Sequence, residues 1–384
     1  MKRILFKSGS TMMGGVERVQ YEYINFLVDK GFDIKVVIEN DNGSENILEK
    51  EIKTKVEYLK NYEYISQIKK IRENRKRNFF SRIKYAIVLS KEKRYADKKF
   101  LEIYKKFQPD IVIDFDSSLT KVIKKLKDSK NLVWIHSSIE NWKKKKNKIK
   151  RFVKRLEYYN KIICICQEME EDLLKLNNNL IGKSEYLYNP IDFEKIKMLS
   201  DVPFNKDEEV LAKEKFLLMV SRLDIIPKDF ETLFSAFDIA KEKGYAGKLY
   251  LIGDGPDRAQ VEKMKKNSKY KEEIFLLGRK ENPYNWMKKA DKLISSSRYE
   301  GFSIVLLEGV VLKKSVIGSN CKSGPKEILA DGRGKLFEVG NVFELGENIL
   351  KNFDLNFEDN FLEKFKKKRI FEKFLRILEG TNDG

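Results

Sequence analysis

Short apolar runs rich in β-branched residues recur along the chain, each followed by a segment with helical spacing of its apolar positions. In the first half the runs are Arg3–Lys7, Ile34–Glu39, Ile111–Phe115, Leu132–His136, Lys161–Cys166 and Glu185–Tyr188. In the second half they are Phe216–Val220, Lys248–Ile252, Ile274–Leu277, Lys292–Ser296, Ser315–Gly318 and Lys335–Phe337. Continuously apolar strands separated by helices are expected in parallel sheets covered on both faces. Two such series predict two doubly wound α/β domains. The passage Tyr188–Asp192 and the polar stretch Leu199–Lys213, with Pro203, set the boundary near residues 190–212. The predicted domains are 1–195 and 196–361. The tail from Glu358 to Leu378 spaces its Phe and Leu residues as one or two amphipathic helices that must pack on something.

Composition narrows the partners. The chain has 384 residues, 41% of them hydrophobic and 36% charged, with a formal net charge of +19. Such an excess suits an anionic partner, or reflects a lysine-rich background. The charge is concentrated in the first half. Residues 66–106 hold fifteen Lys or Arg against four acids, with Phe79, Phe80, Ile83, Ile87 and Val88 among them. Lys143–Arg155 holds nine basic residues and no acid. Two readings stand: solvated helix faces, or interfacial helices drawn to anionic lipid on the inner face of the plasma membrane. Nucleic acid is not an expected partner, because no zinc finger, RRM or KH signature is present.

Three cysteines (Cys164, Cys166, Cys321) without a C-x-x-C pair indicate small buried thiols in a reducing compartment. No apolar run reaches the roughly 18 residues of a spanning helix, and the first is too short for a signal peptide, so a cytoplasmic location is expected. With His136 the only histidine, a His-based metal site is not expected, nor a Ser-His-Asp triad.

The candidate chemistry lies at strand ends. After the first run come Gly14 and Gly15, opening a helix whose free N–H groups and positive dipole end suit a phosphate; a merely tight turn is the alternative. After Phe216–Val220 come Arg222 and Lys228, two cations suited to a diphosphate that gains charge as it departs, unless they are surface charges. Strand-end glycines follow at Gly253 and Gly278, the latter beside Arg279. The sharpest motif is Glu300-Gly301-Phe302-Ser303-Ile304-Val305-Leu306-Leu307-Glu308. Ser303 is expected to cap the helix, Gly301 to permit close approach, and Glu300 and Glu308 to accept bonds from hydroxyls at two ends of one ligand. Glu308 sits in an apolar stretch and needs a partner. His136, ending LVWIH, is either a satisfied core residue or a ligand contact.

Taken together these residues resemble family 4 of the glycosyltransferases, over nearly the whole chain and most strongly over Lys215–Asn341. The specific part is EGFSIVLLE, preceded by S-R-L…K and G-D-G-P, with SNCKSGPKEIL, GGVERV and N-P-I-D in support. The SNCKSGPKEIL ending resembles the subgroup that builds bacterial capsules, lipopolysaccharides and lipid-linked oligosaccharides. The resemblance implies the GT-B fold: two Rossmann-like domains facing across a cleft, an acceptor side in 1–195, a nucleotide-sugar side in 196–361, and a helix near 362–380 crossing back. It implies that Arg222 and Lys228 neutralise the donor diphosphate, that Glu308 holds the ribose and that Glu300 and His136 contact the transferred sugar. Backbone near Phe302–Ile304 and Gly14–Gly15 would approach phosphate or acceptor, Gly253 would adjoin the donor, and Gly278–Lys280 would meet the base. It implies retention of anomeric configuration, with no cofactor and no metal. The expected donor is a UDP-hexose or UDP-N-acetylhexosamine, and the expected acceptor a lipid-linked glycan. Two departures stand out: an aspartate follows Lys228 where the family more often has glycine, and the first loop carries bulky Met12 and Met13. The alternatives are a nucleotide-sugar epimerase of related fold, or a non-catalytic binder of anionic polymers.

Overall fold

The computed structural model describes residues 2–12, 14–74, 79–142, 145–353, 355–356 and 359–380. Met13, Lys143, Lys144, Glu358 and residues 75–78 fall outside these, as does the side chain of Phe79. The chain divides into two compact units, Met1–Pro190 with Ile370–Gly384, and Ile191–Arg369.

The first unit is built on a seven-stranded sheet. Its strands are β1 (Arg3–Ser8), β2 (Asp33–Asn40), β3 (Val56–Lys60), β4 (Ile111–Asp114), β5 (Lys130–Ile135), β6 (Lys161–Cys164) and β7 (Ser184–Tyr186). They lie in the order 3-2-1-4-5-6-7, and every pairing is parallel. Ile4, Leu5, Phe6, Val112 and Ile113 are fully buried, as strands covered on both faces must be. The hydrophobic pattern predicted six of these strands and missed β3. That strand, VEYLK, is at the sheet edge and pairs with β2 alone. With Glu57 and Lys60 among its five residues it has no apolar run longer than two, so the pattern passes over it.

The amphipathic tail forms two helices, Asp359–Glu363 and Lys367–Glu379, and from Ile370 onward it belongs to this unit. In the second, Phe371 stacks on Phe26 at 4.1 Å between centroids, and Phe374 lies 4.8 Å from Tyr23 and 5.6 Å from Trp134. Lys130 donates to the carbonyls of Ile377 (2.6 Å) and Leu378 (3.2 Å), placing a cation where the helix leaves acceptors unpaired.

The second unit holds six parallel strands: β8 (Phe216–Val220), β9 (Lys248–Ile252), β10 (Ile274–Gly278), β11 (Lys292–Ser295), β12 (Ser315–Ser319) and β13 (Lys335–Phe337). Their order, β10-β9-β8-β11-β12-β13, repeats the first six positions of the other sheet. Phe230, Leu233, Phe234 and Phe237, on helix Phe230–Glu242, bury their side chains against Leu217, Met219, Leu251 and Ile294. In each unit the chain reverses its direction of winding between two adjacent central strands: β1 and β4 in the first, β8 and β11 in the second. Such a switch point, at the carboxyl end of the strands, is where open α/β sheets bind ligands.

Candidate functional site

In the second unit, the loops leaving β8 and β11 are fastened to each other. The Asp229 N–H donates to the Ser296 carbonyl (2.9 Å), Ser296 Oγ to the Asp229 carbonyl (2.8 Å) and the Arg298 N–H to the Pro227 carbonyl (2.8 Å). Lys228 and Ser297 form an antiparallel bridge between them. The Arg298 guanidinium adds an ion pair to Asp229 at 2.7 Å and a bond to the Ile225 carbonyl at 2.8 Å. Asp229 also caps helix Phe230–Glu242, accepting from the Thr232 N–H at 3.2 Å. That gives the aspartate after Lys228 two tasks that a glycine could not perform.

This fastening sets Lys228 against Glu300. The ammonium donates to Glu300 Oε1 and to Ser297 Oγ (3.1 Å), and Ser297 Oγ donates to the same Oε1 (2.6 Å). The two charged side chains are 17% and 14% exposed, so the pair is shielded yet reachable. Burial, then the Glu300 charge, pushes the Cys321 thiol up to about 11, which keeps it protonated and unreactive at neutral pH. Arg222 is exposed and, among the described residues, takes no side-chain partner.

Glu308, on helix Ile304–Val311, is 8% exposed and accepts from the Tyr284 hydroxyl at 2.9 Å. Ser303 occupies the N-cap position but its hydroxyl makes no capping bond, contrary to the sequence expectation. The helix starts through Leu306 and Leu307 N–H groups bonded to the Ser303 carbonyl, while the N–H groups of Gly301, Ser303 and Val305 meet no acceptor among the described residues. Phe302 is 6% exposed and 5.8 Å from Phe365, and Ile304 is half-buried.

The strand-end glycines serve the chain itself. A Cβ on Gly253 (φ +140°) would lie 1.8 Å from the Ser221 carbonyl oxygen, and one on Gly255 2.3 Å from that of Leu223. They bring the turn after β9 against the loop that carries Arg222. Gly278 ends β10 with φ +72°; Arg279 beyond it is exposed, and Lys280 pairs with Glu208 at 2.6 Å.

In the first unit, Gly14 stands at the N-cap of helix Gly15–Asp29, and a Cβ on Gly15 would meet open space. His136 lies one residue beyond β5, with its ring 4.5 Å from Phe115. Both ring nitrogens are shut away from solvent and meet no geometrically sound hydrogen-bond partner among the described residues. Burial pushes its pKa down to about 4, with the Phe115 carbonyl and the Asp116 carboxylate acting weakly the other way.

Beside these lies a charge network that sequence reasoning missed. Lys7, 1% exposed at the end of β1, donates to Glu39 Oε2 (2.8 Å), to Asp116 (2.9 and 3.0 Å) and to Ser118 Oγ. Lys60, 2% exposed at the end of β3, donates to Glu39 Oε1 (2.9 Å) and Glu92 Oε1 (2.6 Å). Asp114, fully buried, accepts from the Tyr159 hydroxyl (2.5 Å) and from the Ser118 and Leu119 N–H groups (2.9 Å each). Burial alone would raise the Glu39 carboxyl, but Lys7 and Lys60 outweigh it and pull it down to about 2. A lysine after an apolar run is a weak signal; the carboxylate partners of Lys7 and Lys60 come from β2, the loop after β4 and helix Phe79–Phe107.

Paired doubly wound units of this strand order, with a cation, a carboxylate and a helix start at the second switch point, define a glycosyltransferase of the GT-B type. Two family models match: the Glycosyltransferase Family 4 model over residues 13–195 and the Glycosyl transferases group 1 model over residues 201–369. The chain belongs to family 4 of the glycosyltransferases. It is similar to the N-acetylgalactosamine-N,N'-diacetylbacillosaminyl-diphospho-undecaprenol 4-alpha-N-acetylgalactosaminyltransferase of Campylobacter jejuni, with 32% identity over 52% of this chain and 51% of that protein. It is also similar to the lipopolysaccharide 1,6-galactosyltransferase of Salmonella typhimurium, with 25% identity over 68% of this chain and 70% of the relative. Among solved structures, Anabaena HepE in complex with UDP-glucose superposes with a TM-score of 0.69 at 15% identity, covering 99% of this chain and 100% of that one. The chain spans about half the length of several of the curated relatives it matches: 60%, 51% and 41% for three of them.

Two outcomes are expected. Lys7→Met should lower the free energy of unfolding in urea by about 3 kcal/mol, because it leaves Asp116 without its cation and Glu39 with only Lys60. The stability that Glu39 supplies is fully present above its ordinary pKa of 4.5 and should fade as pH drops from there through about 2; a flat profile across that window would remove the network from the account. The single histidine gives a single imidazole NMR signal. That signal should stay at its neutral position from pH 8 down to pH 5 and titrate near 4; a midpoint near 6.5 would show a solvated ring.

Proposed function

We propose that the chain transfers a hexose or N-acetylhexosamine from a nucleotide-diphosphate sugar to a lipid-linked glycan in cell-surface polysaccharide synthesis, with retention of configuration and without a metal or other cofactor. The observation that carries the reading is the grouping at the β8–β11 switch point of Lys228, Glu300 and the open amides before helix Ile304–Val311. Diphosphate departure loads negative charge onto oxygens, and fixed cations and N–H groups stabilise that charge without reorganising. Lys228 and Arg222 take that part. Glu308 holds the ribose hydroxyls, the Gly278–Arg279 loop adjoins the base, and Glu300 accepts from the donor sugar. Neutral His136 can donate one bond and accept another toward the transferred sugar. The nucleotide proposed is UDP, the one in the HepE complex. In retention by front-face substitution, the leaving diphosphate takes the acceptor proton, so no protein base is required.

The name of the Campylobacter relative places its acceptor on diphospho-undecaprenol, which favours a lipid carrier here as well. A surface of the first unit suits that acceptor. Helix Phe79–Phe107 buries Phe100, Ile103 and Tyr104 through its C-terminal half, whereas Phe80, Ile83 and Ile87 stand 78%, 43% and 51% exposed beside Arg82 and Lys84. Helix Lys146–Leu156 buries Phe152, Val153 and Leu156 and turns Lys148, Lys150, Arg151 and Lys154 outward. Apolar residues framed by cations match an anionic interface. Among the described residues no helix is long and apolar enough to cross a membrane.

A hydrolysis screen over nucleotide sugars should single out one UDP-sugar, with turnover surviving EDTA. Lys228→Ala should cut turnover about a hundredfold, the order of 3 kcal/mol expected of one such contact. Glu308→Ala should weaken UDP binding about tenfold by calorimetry. Parental turnover in the first and parental affinity in the second would refute the assigned roles. Replacing Ile83 and Ile87 by Asp, or neutralising Lys143–Lys146, should reduce co-sedimentation with phosphatidylglycerol vesicles and flatten its salt dependence. Equal co-sedimentation of variants and parent would end the membrane reading.

A further inference from the structure

The donor-site reading leaves unstated what holds Lys228 and Glu300 in register, and the bonding capacity of one serine supplies it. Ser297 is 0% exposed and lies two residues beyond β11. Its main chain is fixed from two sides, by the antiparallel bridge to Lys228 and by Ser319 Oγ, which donates to the Ser297 carbonyl at 2.5 Å. A serine hydroxyl has one proton and two lone pairs. Here the proton goes to Glu300 Oε1 at 2.6 Å, and the lone pairs face Lys228 Nζ at 3.1 Å and Ser295 Oγ at 3.3 Å. The hydroxyl is saturated, and only this arrangement saturates it.

The groups it touches are not saturated. The Lys228 ammonium has three N–H bonds, and two are taken, by Ser297 and by Glu300. Glu300 accepts both of its bonds through Oε1, and Oε2 has no partner among the described residues. Both unused positions belong to side chains that remain partly exposed.

We propose that Ser297 is a positioning residue that fixes the spacing and orientation of Lys228 and Glu300, leaving one ammonium N–H for a phosphate oxygen of the nucleotide-sugar and one carboxylate oxygen for a hydroxyl of its sugar. This rests on the reading of the site as a donor site. Direct attraction alone would hold Lys228 and Glu300 together but would let the carboxylate turn about its Cγ–Cδ bond and swing the direction of its free oxygen. The serine bond to Oε1 fixes that rotation. Ser297 therefore governs which sugar hydroxyl is met more than whether the nucleotide is held.

The test compares Ser297→Ala, Ser297→Cys and the parent, using the UDP-hexose found by the screen, its epimer at carbon 4, and UDP alone. The parent should discriminate between the epimers. Ser297→Ala should lose at least tenfold in kcat and bring the epimer ratio of kcat/KM toward unity, while its Kd for UDP stays within threefold. Ser297→Cys, which keeps a weaker donor, should fall between. A Ser297→Ala protein with the parental ratio and turnover would overturn the proposal, and so would one whose UDP affinity and selectivity collapse together. If Ser297→Ala does not fold, parental selectivity in Ser297→Cys overturns it equally. A parent that turns over no nucleotide sugar would instead sink the donor-site reading itself.

Discussion

The chemistry of the second unit depends on two loops being tied to each other before any ligand arrives. Lys228 and Glu300 are separated by seventy-two positions in sequence, and neither lies on a regular strand. They meet because the Asp229, Ser296 and Arg298 backbone bonds draw the loop after β8 onto the loop after β11. The Arg298–Asp229 ion pair then closes that seam from outside. Each of these bonds is modest in net energy, but several acting on the same short stretch leave it little freedom to lose when a ligand binds. In the proposed function, a site organised in this way would meet a departing diphosphate with charges already in place, which is the condition for stabilising a transition state more than a ground state.

The first unit solves a different problem at its own switch point. Lys7 and Lys60 are among the least exposed charged residues of the chain, in a sheet whose neighbours are otherwise apolar. Two ammonium groups can be buried only if carboxylates surround them, and Glu39 serves both, one oxygen to each. The result is an alternating line of charge, Asp116–Lys7–Glu39–Lys60–Glu92, laid across the ends of three strands and onto helix Phe79–Phe107. Its members are mutually satisfied. We read it as the clamp that shapes this edge of the sheet and fixes the middle of the helix that carries the exposed Phe80, Ile83 and Ile87.

Much of this was legible in the sequence, and what was not has identifiable physical causes. Inner parallel strands announce themselves because burial on both faces leaves no room for polar residues. Twelve strands were read, the nine inner ones and the edge strands β7, β10 and β13; edge strand β3, with two charges in five residues, was not. Glu300, Glu308, Lys228 and Arg222 stood out as single residues: Lys228 and Arg222 as cations after a strand end, Glu300 beside a glycine, and Glu308 as an acid in an apolar run. Their partners were not legible: Ser297 sits in a run of three serines, and Tyr284 opens helix Tyr284–Lys289, twenty-four positions before Glu308. Ser303 illustrates the opposite error. It stands at the position a cap would take, but whether a hydroxyl turns toward the helix depends on a side-chain rotation that composition does not specify. Asp229 was noticed only as a departure from its family, and its purpose emerged from the Thr232 and Arg298 contacts.

The contrast between the two switch points suggests how to separate scaffold from chemistry in a chain this charged. Counting ionisable groups does not do so, since the Lys7 network contains more of them than the Lys228 site. Counting unused bonding capacity does. Lys7 and Glu39 have spent theirs on each other and on their neighbours, and a ligand would have to break something to reach them. The third N–H of Lys228, Oε2 of Glu300, the Arg222 guanidinium and both nitrogens of His136 are unspent. For His136 the deficit is the more telling because both ring nitrogens are shut away from solvent: a neutral imidazole there forgoes bonds that water would have supplied, unless a bound group restores them. The Lys7 network ends with its valences filled, and the residues proposed to meet a substrate keep one open.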